Sequence, residues 1–318
     1  MSKITVETNH RTKASKNVFI YDLKNNPLLC LMVLPLVAYY AVFCYAPMYG
    51  AIIAFKNFSP GLGIWNSPWT TSHGFQHFID FFQGPYFGRV LSNTISLSLL
   101  DIVLGFPAPI IFALLMNEIR NIGFKRCVQT ITYIPHFISI MVVCGLLHTF
   151  LGRDGLITDL VVALGGERAN LLANPNSFQM IFVLSGIWQS IGWGSIIYLS
   201  ALTSIDPALY EAAKIDGAGR IRQTIHVTLP GIIPTIVTLF ILRMGSILNV
   251  SFEKVLLLYN DLTMEKADVI STFIYRRGLV QSDYSFSTAV GLFNSVINFA
   301  VLFLTNLLSK KLTETSLW

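Results

Sequence analysis

The amino-acid sequence predicts an all-α, polytopic membrane protein with six transmembrane helices, and three observations carry that prediction. Of 318 residues, 53% are hydrophobic and only 12% charged, whereas an ordinary soluble domain carries about 25% charge. The mean hydropathy is +0.60. Long runs contain no Asp, Glu, Lys or Arg: Asn25 to Phe55, Cys127 to Gly152, Ala169 to Ile205 and Tyr284 to Ser309. A helix of about 20 apolar residues crosses a bilayer core, and every one of these runs is longer. A soluble enzyme, a secreted disulfide scaffold and a nucleic-acid-binding domain are thereby excluded.

The six spans fall at Leu28–Tyr49, Val90–Met116, Val128–Phe150, Phe178–Leu202, Leu229–Val250 and Tyr284–Leu308. Hydrocarbon offers no partner to a backbone N–H or C=O, so each span has to pair its own backbone as a helix. Pro47, Pro107, Pro109 and Pro135 lie in or beside spans and predict local kinks. The chain thus divides into an N-terminal segment 1–27, a six-helix domain 28–308 and a tail 309–318. The first apolar run far exceeds a signal-peptide core of about 7–15 residues, so the N-terminus is not read as a cleavable leader.

Six spans place both termini on one side, and Lys and Arg decide which. Thirteen lie in the N-terminal segment, the second-to-third and fourth-to-fifth connections and the tail, against eight in the intervening loops. Both termini are therefore expected in the cytoplasm, with the domain crossing the membrane several times. The inner side nets +6 and the outer side −1, so a pI near 9.0 follows from topology and calls for no nucleic-acid partner.

The outer loop from Lys56 to Arg89 is rich in Phe, Trp and Tyr. It reads as an interfacial belt, the usual place of Trp and Tyr, or as a docking surface for an external partner. The outer loop from Ser251 to Asp283 contains a helix-like run, Ala267 to Arg277, with Val269, Ile270, Phe273 and Ile274 on one face. Cys30, Cys44, Cys127 and Cys144 sit in or beside apolar runs, where thiols behave as small hydrophobes, and imply neither disulfides nor a metal site. No Gly-x-x-x-x-Gly-Lys-Ser/Thr, His-Glu-x-x-His or Gly-x-Ser-x-Gly occurs. The chain is not an enzyme on this reading, binds no cofactor and carries no catalytic residue.

The informative stretch is the fourth-to-fifth connection, about 205–228. Asp206-Pro207 is a helix cap followed by proline at the first helical position. A short helix with Ala212, Ala213 and Ile215 available for packing follows, and Gly217 and Gly219 break it. Glu211 and Asp216 offer acidic contacts, Ala218 keeps the exit small, and Thr228-Leu229-Pro230 opens the next span. Such a knob suits a soluble partner, although composition alone equally describes an amphipathic linker.

The pattern Glu211-Ala212-Ala213, Asp216-Gly217-Ala218 and Thr228-Leu229-Pro230 resembles the signature loop of ABC importer permeases. Ile221 and Thr224 depart from it, standing where aromatic residues are usual. The resemblance covers nearly the whole chain: Tyr45-Ala46-Pro47-Met48-Tyr49-Gly50, Gly105-Phe106-Pro107-Ala108-Pro109, Asn117-Glu118-Ile119-Arg120-Asn121, Tyr133-Ile134-Pro135-His136-Phe137, Gly186-Ile187-Trp188 with Ile191-Gly192-Trp193-Gly194, Ala267-Asp268-Val269-Ile270 and the terminal Leu317-Trp318. These look like the maltose-type branch that serves oligo- and polysaccharide importers. The resemblance implies a type I importer permease fold and a pairing with a second six-span permease into a heterodimer. It also implies an ATP-binding subunit dimer that holds ATP and Mg, an extracytoplasmic solute-binding protein, and an oligo- or polysaccharide substrate, often acidic. Glu211, Ala212, Ala213, Asp216, Gly217, Ala218, Leu229 and Pro230 would couple the chain to the ATPase. A self-sufficient secondary carrier or channel is the alternative, and it needs intramembrane ionisable groups. The sequence offers only Asp101 and Arg243.

Asp101 and Arg243 each carry two readings. Either they form a structural ion pair, or Arg243 faces the path as a cation for a sugar carboxylate. Arg243 lies about 21 Å along a helix from Leu229 and would share a face with Ser246, Asn249 and Glu253. In span four, Trp188 and Gln189 join the candidates, because indole faces stack on sugar rings and amides bond hydroxyls.

Overall fold

A computed structural model describes residues 27–313, 316 and 317. The segment 1–26, most of the expected cytoplasmic N-terminal segment, lies outside the described residues, as does Trp318. The chain forms two compact units, residues 1–52 and 53–318. The described residues contain helices and one isolated antiparallel bridge, Lys56 with Trp69. Among the described residues six helical stretches are long and apolar enough to cross a membrane: Leu31–Phe55, Phe87–Glu118, Ile140–Ala163, Pro175–Thr203, Arg220–Met244 and Tyr284–Lys311.

In the first unit, helix α1 (Pro27–Tyr39) continues into a π turn, Tyr40–Tyr45, just before Pro47. The second unit opens with the aromatic loop and α2 (Gln76–Gln83), followed by α3 (Phe87–Leu100), a π turn at Asp101–Gly105 and α4 (Pro107–Glu118). Then come α5 (Ile122–Tyr133), α6 (Ile140–Leu151), α7 (Leu156–Ala163) and the long α8 (Pro175–Thr203). Helix α9 (Pro207–Ile215) leads to α10 (Leu229–Met244), entered through a π turn at Thr224–Thr228. Helices α11 (Phe252–Leu258), α12 (Ile270–Tyr275) and α13 (Tyr284–Thr313) complete the chain. Three π turns immediately precede a proline: Pro47, Pro107 and Pro230. Proline lacks the N–H of a regular turn and crowds the carbonyl four residues back, and an i→i−5 turn relieves both. Phe106 N donates to Asp101 O at 3.0 Å in this way.

Two expected spans are not continuous helices. The expected helix Val128–Phe150 ends at Tyr133, passes through a 3-10 turn at Ile134–Phe137 and an extended Ile138, and restarts under the Ser139 cap. Pro135 is the cause, since the turn around it cannot be hydrogen-bonded as α-helix. The helical stretch here that is long and apolar enough to cross is Ile140–Ala163, made of two helices in succession. The expected helix Leu229–Val250 stops at Met244, and residues 245–250 form turns and irregular backbone. Nor does Ala267 to Arg277 form one helix. It breaks at Asp268, although Val269, Ile270 and Phe273 are buried as the apolar pattern implies.

Helix α8 is the central pillar of the second unit, packing on α4, α5, α10 and the loops beside α12. Gly192 lets it approach α5 at Thr132, and a methyl group there would run into the Thr132 backbone. Three clusters form the core. One joins Leu97, Cys144, Phe178, Phe182, Val255 and Leu258. A second joins Phe81, Val90, Ile270, Phe273, Phe286 and Val290. At the opposite end of α8, Ile110, Ala113, Tyr198, Leu202 and Ile232 form the third. The aromatic loop is accordingly split. Phe81 packs edge-to-face on Phe87, Phe286 and Phe293, whereas Trp65 and Trp69 remain exposed.

Asp268 is fully buried and knits this second cluster to its neighbours. Its carboxylate accepts from Arg276 at 2.6 Å and from Thr272 Oγ1 at 2.9 Å, with Arg89 at 3.5 Å. Its backbone carbonyl accepts from Asn93 Nδ2 at 3.0 Å. Removing the charge leaves two guanidinium groups without their acid, a loss of about 3–5 kcal/mol for a broken buried pair. Asp268→Ala should therefore lower the thermal midpoint of the detergent-solubilised protein sharply, while Asp154→Ala, on an exposed loop, leaves it within a degree or so of the parent. Size-exclusion recovery after a heat ramp measures both.

Candidate functional site

Two regions concentrate polar chemistry: a cavity beside the break after α10, and the 204–228 connection. The cavity encloses about 290 Å³, at the lower end of ligand-sized pockets. Its walls come from α3, the start of α6, α8, the unwound 245–250 segment and α11. Polar lining groups are Ser98, Asp101, Gln189, Ser190, Arg243, Ser246, Asn249, Ser251 and Lys254.

The breaks in the two apolar segments explain why polar groups gather there. Unwinding frees backbone donors and acceptors that must find partners in the protein. Ser98 Oγ donates to the Ile247 carbonyl. Leu248 N donates to Asn298 Oδ1 at 3.0 Å. Asn249 Oδ1 accepts from Asn294 at 2.9 Å and Asn298 at 3.2 Å. On the far wall, Gln189 Nε2 donates to the Ile138 carbonyl at 3.0 Å, satisfying the backbone freed beside Pro135.

Arg243 pairs with Asp101 through NH2 and Oδ2. Gly105 makes the geometry possible, since a Cβ at that position would lie 2.6 Å from Asp101 Oδ1. Both charges border the cavity and cancel there. The helical face expected for Arg243, Ser246, Asn249 and Glu253 does not exist, because the helix has already ended. Ser246 and Asn249 nonetheless reach the cavity, while Glu253 is exposed outside its lining. Trp188 is also outside the lining and half-exposed on α8.

Sequence reasoning missed Lys254. It is 3% exposed and donates to the Phe182 carbonyl at 2.7 Å, with its ammonium 4.7 Å from the Phe182 ring centre. Burial pulls its pKa down to about 8, with the Cys144 thiol acting in the opposite direction. The available signal was periodicity. Lys254, Val255 and Leu258 occupy one helical face, and the two apolar members mark it as the inward one.

The 204–228 connection is built as a free-standing knob. Asp206 Oδ1 accepts from Ala208 N at 2.9 Å and caps α9. At the far end Gly217 N donates to Lys214 O at 3.0 Å and Ala218 N to Ala213 O at 2.8 Å, closing a Schellman turn. Gly217 takes φ +76°, a conformation glycine adopts without strain. Glu211, Ala212 and Asp216 are exposed, while Ala213, Ala218 and Leu229 are half-buried. Ile215, expected to pack, is instead 87% exposed, and Ile221 is exposed as well. Tyr210 OH and Thr228 Oγ1 at 3.1 Å hold the knob to the entry of α10, which Pro230 follows. Arg220 reaches Glu118 at 3.6 Å across the neighbouring connection. No group of three or more His, Cys, Asp or Glu that could hold a metal occurs among the described residues.

The Asp101–Arg243 pair generates a test by charge deletion. Asp101→Asn leaves a guanidinium without its acid, so the variant should assemble less well than Asp101→Asn/Arg243→Gln, which removes both charges. Membrane levels of folded protein read the difference; a double variant no better than the single one would show the pair to be energetically idle.

The family described as the binding-protein-dependent transport system inner membrane component matches residues 105–314. Protein LplB of Bacillus subtilis (strain 168) is 45% identical over 93% of this chain and 92% of its own length. The polygalacturonan/rhamnogalacturonan transport system permease protein YteP of the same organism is 44% identical, covering 96% and 95%. Among solved structures, a chain of a bacterial ABC transporter involved in the import of the acidic polysaccharide alginate superposes with a TM-score of 0.85 at 42% identity, covering 93% of this chain and 99% of that one. A chain of the bacterial alginate transporter in complex with alginate pentasaccharide-bound periplasmic protein gives 0.86 over the same coverage.

Proposed function

The chain belongs to the binding-protein-dependent transport system inner membrane component family, and from that premise we propose how it selects and moves its substrate. It is a plasma-membrane permease subunit of an ATP-driven ABC importer for oligo- or polysaccharides, and it does no catalysis itself. We infer that the substrate is an acidic fragment rich in uronate. One observation carries this reading: the cavity beside the unwound end of α10 has cationic and amide donors but a single carboxylate, already occupied by Arg243. Relatives whose names specify polygalacturonan and alginate support the same class.

The remaining parts of the importer follow from family membership. A second, different six-span permease completes the path, an ATP-binding subunit dimer hydrolyses ATP with Mg, and an extracytoplasmic solute-binding protein delivers the glycan. Both termini are cytoplasmic, as the Lys and Arg distribution implies. The domain 28–308 then presents the 205–228 knob to the ATPase. Glu211, Asp216 and the small surface of Ala212, Ala213, Gly217 and Ala218 form its docking face, and Leu229 and Pro230 transmit movement into α10. In the cavity, Gln189, Ser246 and Asn249 offer hydrogen bonds to sugar hydroxyls, with Arg243 at the rim and Asp101 holding it. Trp188 and Glu253, outside this lining, are assigned to a part of the path completed by the second permease.

Coupling through the knob is tested in vesicles holding the complete transporter. Proline at position 217 cannot take the positive φ, so Gly217→Pro unseats the Schellman turn without touching a core cluster. Gly217→Pro and Glu211→Ala should each reduce ATPase stimulation by loaded binding protein at least about tenfold with assembly intact. Normal stimulation in both would remove the loop from the coupling role.

Substrate class is tested with a matched pair of trimers. Trigalacturonate and its carboxyl-reduced counterpart share length and linkage and differ only in charge. The complete transporter with its binding protein should take up the charged trimer faster. Faster uptake of the neutral trimer would overturn the acidic-substrate reading.

A further inference from the structure

Lys254 is a cation in the cavity wall that no Asp or Glu among the described residues pairs with. Arg243, the other cation there, is matched by Asp101, so the pair contributes no net charge to the cavity. Lys254 forms no ion pair among the described residues, and its neighbour in sequence, Glu253, is exposed outside the lining. An ammonium has three N–H donors. One of them is directed to the Phe182 carbonyl. A buried lysine without a counter-ion is costly to keep, and its usual fates are neutralisation or service to a charged partner. Here it lines the cavity beside Gly186, whose missing side chain makes room for the ammonium at the wall: a Cβ there would come within 3.3 Å of Nζ. Gln189 and Ser190, one turn along α8, supply neutral hydrogen-bonding groups on the same wall.

We propose that Lys254 is the specificity-determining residue of this cavity, receiving the carboxylate of one uronate unit as the chain of sugars passes Gly186. The assignment rests on the reading of the cavity as an acidic-saccharide path. It moves the charge selection from Arg243, which is already paired, to a residue beyond the end of α10. A transported carboxylate gains an ion pair on entering, while the single Phe182 contact and the neutral lining leave it free to move on.

The experiment uses the complete transporter in vesicles with its binding protein unchanged, so that altered selectivity originates in the permease. Uptake of trigalacturonate and of its carboxyl-reduced counterpart is measured for the parent and three variants. Lys254→Met should lower the charged-to-neutral uptake ratio at least about tenfold. Lys254→Arg, which keeps the charge, should stay within about threefold of the parent. Gly186→Asp keeps the lysine but sets a carboxylate beside it, and should reproduce the Lys254→Met ratio. That variant decides the matter if Lys254→Met fails to assemble. Equal loss for both trimers in Lys254→Met and Gly186→Asp would make Lys254 a structural pin between α8 and α11 and overturn the proposal. A parent preference for trigalacturonate that survives both variants would overturn Lys254 alone and leave the acidic-substrate reading intact. A parent that prefers the neutral trimer would overturn both.

Discussion

Backbone groups inside apolar segments need partners from the protein itself, and the architecture around the cavity follows from that constraint. Two apolar segments are interrupted, at 134–139 and at 245–250. Gln189 satisfies the first interruption, while Ser98 and Asn298 satisfy the second. The cavity lies between them. Two of the polar side chains that make unwinding tolerable, Ser98 and Gln189, also line the cavity. This explains why Gln189, nominated for sugar contact, also carries a packing role.

Charge is arranged in three different ways along the same chain. Asp268 is buried among Arg276, Arg89 and Thr272 and serves the fold. Asp101 and Arg243 form a pair open to the cavity, its geometry relying on the missing side chain of Gly105. Lys254 is buried beside a cavity without an acid partner among the described residues. The environment of each group, more than its residue type, separates the structural charges from the one suited to a passing ligand.

The knob between α8 and α10 stands by itself because both of its ends are closed locally. The Asp206 cap and the Schellman turn at Gly217 satisfy the terminal backbone groups of a helix too short to be stable alone. The Tyr210–Thr228 contact then fixes it to the entry of α10. Exposed Leu209, Ile215 and Ile221 give it an apolar side that the described residues leave uncovered. A partner surface is the natural cover for such a face.

Composition and uncharged runs by themselves determined the helical membrane class and the number of spans, because the bilayer imposes a length and a polarity on any crossing segment. Local chemistry determined the cap at Asp206, the break at Gly217 and the irregularities beside Pro47, Pro107 and Pro135, since each depends on neighbours a few residues away. The ends of spans three and five were not legible. Pro135 starts the first break locally, but how far each break runs, through residue 138 and over 245–250, depends on Gln189, Ser98 and Asn298, distant in sequence, which take up the freed backbone groups. For the same reason the sequence left Arg243 open between a structural pair with Asp101 and a cation facing the path, and did not single out Lys254. Whether a charge is matched depends on which groups folding brings within a few ångströms, and only the tertiary structure decided that Asp101 reaches the first while no described acid reaches the second.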